Sequence, residues 1–178
     1  MHKVNVKRLT LSGLMAALVL VGTMMIQIPT PTKGYIHIGD SMVYLSGILL
    51  GPLAGSIAAA VGSMFADLFS GYGIYAPATF VIKGLDALMV GFIYHKLVSE
   101  ESTLLKKILS FAFSVTVGGL VMIGGYFAYE SILYGAETAV LGVVGNITQA
   151  VGGGVLAAPL VLAFDRIKFF QSLKEHYR

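Results

Sequence analysis

Cysteine and tryptophan are both missing from this 178-residue chain, and charge is scarce, at 12% of residues. Without cysteine there are no disulfides and no thiolate metal sites. A soluble domain carries about 25% charged residues, so this low share, beside 56% hydrophobic residues, excludes an ordinary water-soluble fold. No Gly-Lys pair occurs, which rules out a Walker A phosphate loop. HExxH and GxSxG are absent, and no GxGxxG opens a soluble nucleotide fold. His2, His37, His95 and His176 fall near termini or segment ends, so an intramembrane hydrolase would lack a base beside its nucleophile. No second histidine stands at metal-binding spacing from His37. The net charge of +3 is no sign of nucleic acid, because the basic residues sit in loops, where they set membrane orientation.

What is present is apolar sequence in long runs. Segments near 9–28, 37–50, 53–69, 78–97, 108–129 and 139–164 predict an all-α polytopic membrane protein, one domain of six transmembrane helices over residues 1–178. The leading MHKVNVKR has no A-x-A-like cleavage site after it and reads as the start of a retained first helix. Pro29 and Pro31 end the first segment. The second stops at Gly51-Pro52 and is short for a full span. The loop ESILYGAET joins the fifth segment to the sixth, which Gly152-Gly153-Gly154 and Pro159 should loosen or kink.

Six spans put both termini on one side. Lys3, Lys7, Arg8, Lys96, Lys106, Lys107, Arg166, Lys168, Lys174 and Arg178 then share that side, leaving only Lys33 and Lys83. The positive-inside rule makes it the cytoplasmic side of the cell membrane. Small residues recur at four-residue spacing, with Gly55, Ala59 and Ser63, or Ala58, Gly62 and Ala66, in the third segment. Gly142, Asn146, Ala150, Gly154 and Ala158 do the same in the sixth, and such stripes let helices approach closely. In the first segment, Ser12 with Ala16, and Gly13 with Ala17, make two strips, either for internal packing or for docking another membrane protein.

That topology gives each polar residue a depth. Asp40, Asp67, Lys83, Asp86, Tyr126, Tyr129, Glu130, Asn146 and Gln149 all fall in the outer half of the bilayer. Each has a structural explanation. Asp40 is an N-cap candidate, Lys83 and Asp86 share a helix face and can neutralise each other, and Asn146 with Gln149 can join helices. Clustering at one depth, beside Tyr35, Tyr72 and Tyr75, points instead to a pocket in which tyrosines stack on a flat ring. An outer-half site argues against an autonomous alternating-access carrier, whose site lies near midplane. The competing reading is a membrane scaffold in which every polar group is structural.

The runs D-L-F-S-G-Y and P-A-T-F-V-I-K-G, with G-Y-I-H-I-G-D and G-P-L-A-G before them, resemble the substrate-binding S components of energy-coupling factor (ECF) vitamin transporters. The similarity is to the riboflavin-type branch, whose members are associated with riboflavin, hydroxymethylpyrimidine or vitamin B6 compounds. It implies a non-enzymatic protein without a cofactor that captures a vitamin from outside and topples in the membrane. It also implies association with a transmembrane coupling protein and two cytoplasmic ATPases, which use the ATP. Carried onto this chain, it points to Tyr35, His37, Asp67, Tyr75, Lys83, Asp86, Tyr126, Glu130, Asn146 and Gln149 as substrate-binding residues. The family's first-helix motif implies docking through Gly13 with Ala17 or Ser12 with Ala16. The ligand is expected to be of the B6 or pyrimidine type, with Lys83 meeting a phenolate, hydroxyl or phosphate.

Overall fold

The computed structural model describes residues 6–99, 101–164 and 167. The terminal basic residues Lys3, Arg166, Lys168, Lys174 and Arg178, which carry half of the orientation argument, lie outside the described residues, as do His2 and His176.

Among the described residues six helices form, and five of them are long and apolar enough to cross a bilayer. α1 (Val6–Met25) is followed by a short antiparallel hairpin, β1 (Gln27–Pro29) and β2 (Tyr35–His37). The hairpin replaces what the sequence predicted as the end of the first segment and the start of the second. Pro29 lacks the amide a helix needs, and the turn closes through Thr30 N–H to the Gly34 carbonyl at 2.9 Å. α2 (Asp40–Leu50) has 11 residues, about 16 Å of helix, too short for a hydrocarbon core of about 30 Å. Gly51, at φ 80°, makes the sharp turn, and Pro52 starts α3 (Pro52–Phe69) at a position where its missing amide does no harm. After a loop over residues 70–75 come α4 (Ala76–Leu97), α5 (Leu104–Tyr134) and α6 (Ala136–Phe164).

The expected loop ESILYGAET is almost entirely helical. Only Gly135, at φ 85°, separates α5 from α6, because glycine reaches that backbone conformation without a Cβ clash. Pro159 lies within α6, which runs on as one helix past the three glycines.

α2 is the centre of the bundle, with every residue but Met42 buried. Backbones touch around it: a methyl on Gly47 would collide with the Ala87 carbonyl of α4. The two strips on α1 separate cleanly. Ala16 and Ser12 are half-buried, and a methyl on Gly62 of α3 would strike the Ala16 carbonyl, so that strip packs internally. Gly13 and Ala17 are exposed, beside Leu14 and Leu18.

Candidate functional site

Chain connectivity brings the hairpin, the ends of α3 and α5, and the starts of α2, α4 and α6 to one end of the bundle. There they enclose a cavity of about 30 Å³, lined by Thr30, Thr32, Tyr35, His37, Asp67, Tyr75, Thr79, Tyr126, Glu130, Gly142, Asn146 and Gln149. Such a volume holds about one water. A ring-sized ligand therefore needs the walls to move.

The hairpin forms one wall and is tied to the others by side-chain hydrogen bonds. Tyr35 donates its hydroxyl to Asp67 Oδ1 at 2.7 Å, and Gln27 Nε2 donates to Ser70 Oγ at 2.8 Å. The Tyr75 hydroxyl donates to the Thr32 carbonyl at 2.5 Å and lies 3.3 Å from Glu130 Oε1. The His37 amide donates to Gln149 Oε1 at 3.0 Å. Tyr35 also packs on Tyr72, with ring centroids 4.4 Å apart. Burial, with Asp67 adding to it, pushes the Tyr35 phenol up; burial and then Glu130 do the same at Tyr75. Both tyrosines are thus neutral donors.

Asp67 Oδ2 and Glu130 Oε2 are buried and have no hydrogen-bond partner among the described residues. Among the described residues, neither lysine nor arginine lines the cavity. The cavity therefore presents spare acceptors and no cation.

His37 is neutral here: its Nδ1 accepts the Gly39 N–H at 3.1 Å. Burial pulls the imidazole down to about 4, with Asp40 opposing the shift and Lys83 adding to it. An unfolded histidine titrates near 6.5. Between those values the unfolded chain takes up a proton that the folded chain refuses, so this contribution to stability is full above 6.5 and is lost as pH falls toward 4. From pH 7 to pH 5 the melting temperature of wild type in detergent is expected to lose ground against that of His37→Gln. Equal slopes in the two proteins would remove His37 from that dependence.

Eight of the ten residues predicted to bind substrate line the cavity: Tyr35, His37, Asp67, Tyr75, Tyr126, Glu130, Asn146 and Gln149. Lys83 and Asp86 lie outside that lining. Both are fully buried. Lys83 pairs with Asp40 rather than with Asp86, and its Nζ lies 2.7 Å from Met122 Sδ. Asp40 is accordingly no N-cap. Gly39 occupies that position without a side-chain cap, and Asp40 Oδ2 instead accepts from Gln149 Nε2 at 3.1 Å. Lys83 thus supports the cavity floor through Asp40 and Gln149. Thr30, Thr32, Thr79 and Gly142 were not foreseen. Gly142 belonged to the small-residue stripe of the sixth segment, and a methyl there would collide with Glu130 Oε2.

Known proteins align with this arrangement over most of its length. A family model described as the ECF-type riboflavin transporter, S component, matches residues 3–166. An uncharacterized protein of Pyrococcus woesei is 38% identical over 143 residues, 80% of this chain and 90% of that protein. The thiamine precursor transporter HmpT of Lactococcus lactis subsp. cremoris is 28% identical over 168 residues, 93% of this chain and 92% of its own. The solved S component of a bacterial ECF transporter shares the fold, with a TM-score of 0.64 and 20% identity over 93% of this chain and 97% of that one.

Proposed function

The chain belongs to the family of ECF-type riboflavin transporter S components, and on that premise we propose that it captures an amino-substituted pyrimidine, a thiamine precursor rather than a phosphorylated B6 compound. It is a multi-pass membrane protein with a substrate-binding role, and S components work with the other subunits of an ECF module. One observation carries the choice of ligand. The cavity offers two unpartnered buried carboxylate oxygens, of Asp67 and Glu130, and no cationic side chain. Buried acceptors left unpaired are costly. A ring bearing an amino group supplies donors to them, whereas a phosphate would meet repulsion and no ammonium. The thiamine precursor named for the Lactococcus lactis relative agrees with that polarity.

Tyr35, Tyr75 and Tyr126 supply ring faces, and Asn146 and Gln149 complete the hydrogen bonding. The hairpin acts as a lid that opens to admit the ligand and closes through Tyr35–Asp67 and His37–Gln149. The cavity end faces outward and both termini face the cytoplasm, in line with the positive-inside count. Gly13 and Ala17, the exposed strip, dock on the transmembrane coupling protein, whose two ATPases drive release.

Native mass spectrometry of the purified protein, followed by thermal shift with a small panel, tests this reading. The amino-substituted hydroxymethylpyrimidine is expected to raise the melting temperature, and pyridoxal 5′-phosphate is not. Stabilisation by riboflavin or pyridoxal 5′-phosphate, with none by the aminopyrimidine, would replace the proposed ligand. Stabilisation by none of them, with no co-purified small molecule, would favour a scaffold.

A further inference from the structure

Asp86 lies eleventh among the 22 residues of α4, about 15 Å from either end of that helix. It is fully buried, and neither of its carboxylate oxygens has a hydrogen-bond partner among the described residues. The charged groups acting on it are Lys83, one turn away on the same helix, and Asp40 of α2. α2 also brings Tyr44, whose hydroxyl points to the Ala150 carbonyl at 3.4 Å. α5 presents Gly118, so close that a methyl there would strike Asp86 Oδ1. The charged residues of α5, Lys106, Lys107 and Glu130, lie three turns or more from Gly118. The one charged residue of α3, Asp67, is engaged by Tyr35 at the cavity.

Lys83 is committed elsewhere. Its ammonium pairs with Asp40 Oδ1, touches Met122 Sδ and lies 5.6 Å from the centre of the Tyr126 ring. Two carboxylates and one ammonium leave one negative charge uncompensated. His37 does not supply the missing cation, because its Nδ1 accepts a backbone N–H. A lone carboxylate in this setting must be neutralised or must bind something.

We propose that Asp86 holds a proton at neutral pH, making the Asp40–Lys83–Asp86 cluster a one-proton site at the centre of the bundle. The neutral acid leaves Lys83 to Asp40 alone. Asp40 in turn holds Gln149, which lines the cavity and receives the His37 amide of the hairpin. Loss of the proton sets a second carboxylate competing for Lys83. Proton occupancy midway along α4 is therefore linked to the cavity wall.

Infrared spectroscopy of the full-length protein in lipid nanodiscs tests the site directly. At pH 7 a carbonyl stretch of a protonated carboxylic acid is expected. It should persist in Asp67→Asn/Glu130→Gln and vanish in Asp86→Asn, or in Asp86→Thr should the asparagine variant not fold. As pH rises above the usual carboxylate range, where only the folded chain keeps the proton, wild type should also lose melting temperature relative to Asp86→Asn, since asparagine has the shape of the protonated acid. Absence of the band in wild type, or its survival without Asp86, would overturn the proposal. So would sodium raising the wild-type melting temperature above that in equimolar choline, with no such rise in Asp86→Asn, because the site would then hold a metal cation.

Discussion

Lys83→Ala is expected to destabilise the protein more than any substitution lining the cavity. The ammonium and the Asp40 carboxylate are both fully buried and paired with each other. Removing one partner of such a pair leaves an uncompensated charge and costs about 3–5 kcal/mol. The measurement is melting temperature and the monodisperse fraction in detergent. The double variant Lys83→Met/Asp40→Asn is expected to recover most of that loss, because it removes both charges and keeps an acceptor for Gln149 Nε2. It should also retain ligand affinity, since Lys83 does not line the cavity. A substrate-binding Lys83, as the resemblance implies, gives the opposite expectation: ligand binding abolished in an otherwise sound protein. A stable, monodisperse Lys83→Ala that no longer binds ligand would restore that view and return Lys83 to the site.

The case of Lys83 shows where the sequence stops being legible. Hydropathy located five spans to within a few residues, because the bilayer fixes helix length. Depth along each helix followed, and with it the level at which eight cavity-lining residues meet. Pairing did not follow. Lys83 and Asp86 are neighbours on one helix face, but the choice of Asp40 depends on how deeply the short α2 sits, and no local pattern encodes that. The hairpin was hidden for a related reason. Strands of three residues, Gln27–Pro29 and Tyr35–His37, are too short to show a period of two. Their only local signs are Pro29 and the turn at Lys33-Gly34, where Lys33 takes a positive φ of 58°. The one-residue junction at Gly135 was read as a loop because Glu130, Ser131, Glu137 and Thr138 look polar. They instead lie in the last turns of α5 and the first turn of α6, helices that outrun the hydrocarbon core: α5 has 31 residues, about 46 Å.

Asp67→Asn and Glu130→Gln are each expected to weaken binding of the amino-substituted pyrimidine by about 10- to 100-fold. Both changes keep the shape of the side chain and one carbonyl acceptor. Asparagine can therefore still receive the Tyr35 hydroxyl, now at 2.7 Å from Asp67 Oδ1, and the lid contact survives. What each change removes is the second acceptor, Asp67 Oδ2 or Glu130 Oε2, which has no partner among the described residues. A hydrogen bond to a charged group contributes about 1.5–3 kcal/mol, which corresponds to the stated range of affinity. Melting temperature without ligand should hold or rise, because each substitution replaces a buried carboxylate by a neutral amide. Isothermal titration on the three proteins, paired with thermal melts, separates the possibilities. Lower affinity with undiminished stability assigns both carboxylates to the ligand. Wild-type affinity in both variants would leave them as hairpin latches and detach the choice of an amino-bearing ligand from the cavity's charge.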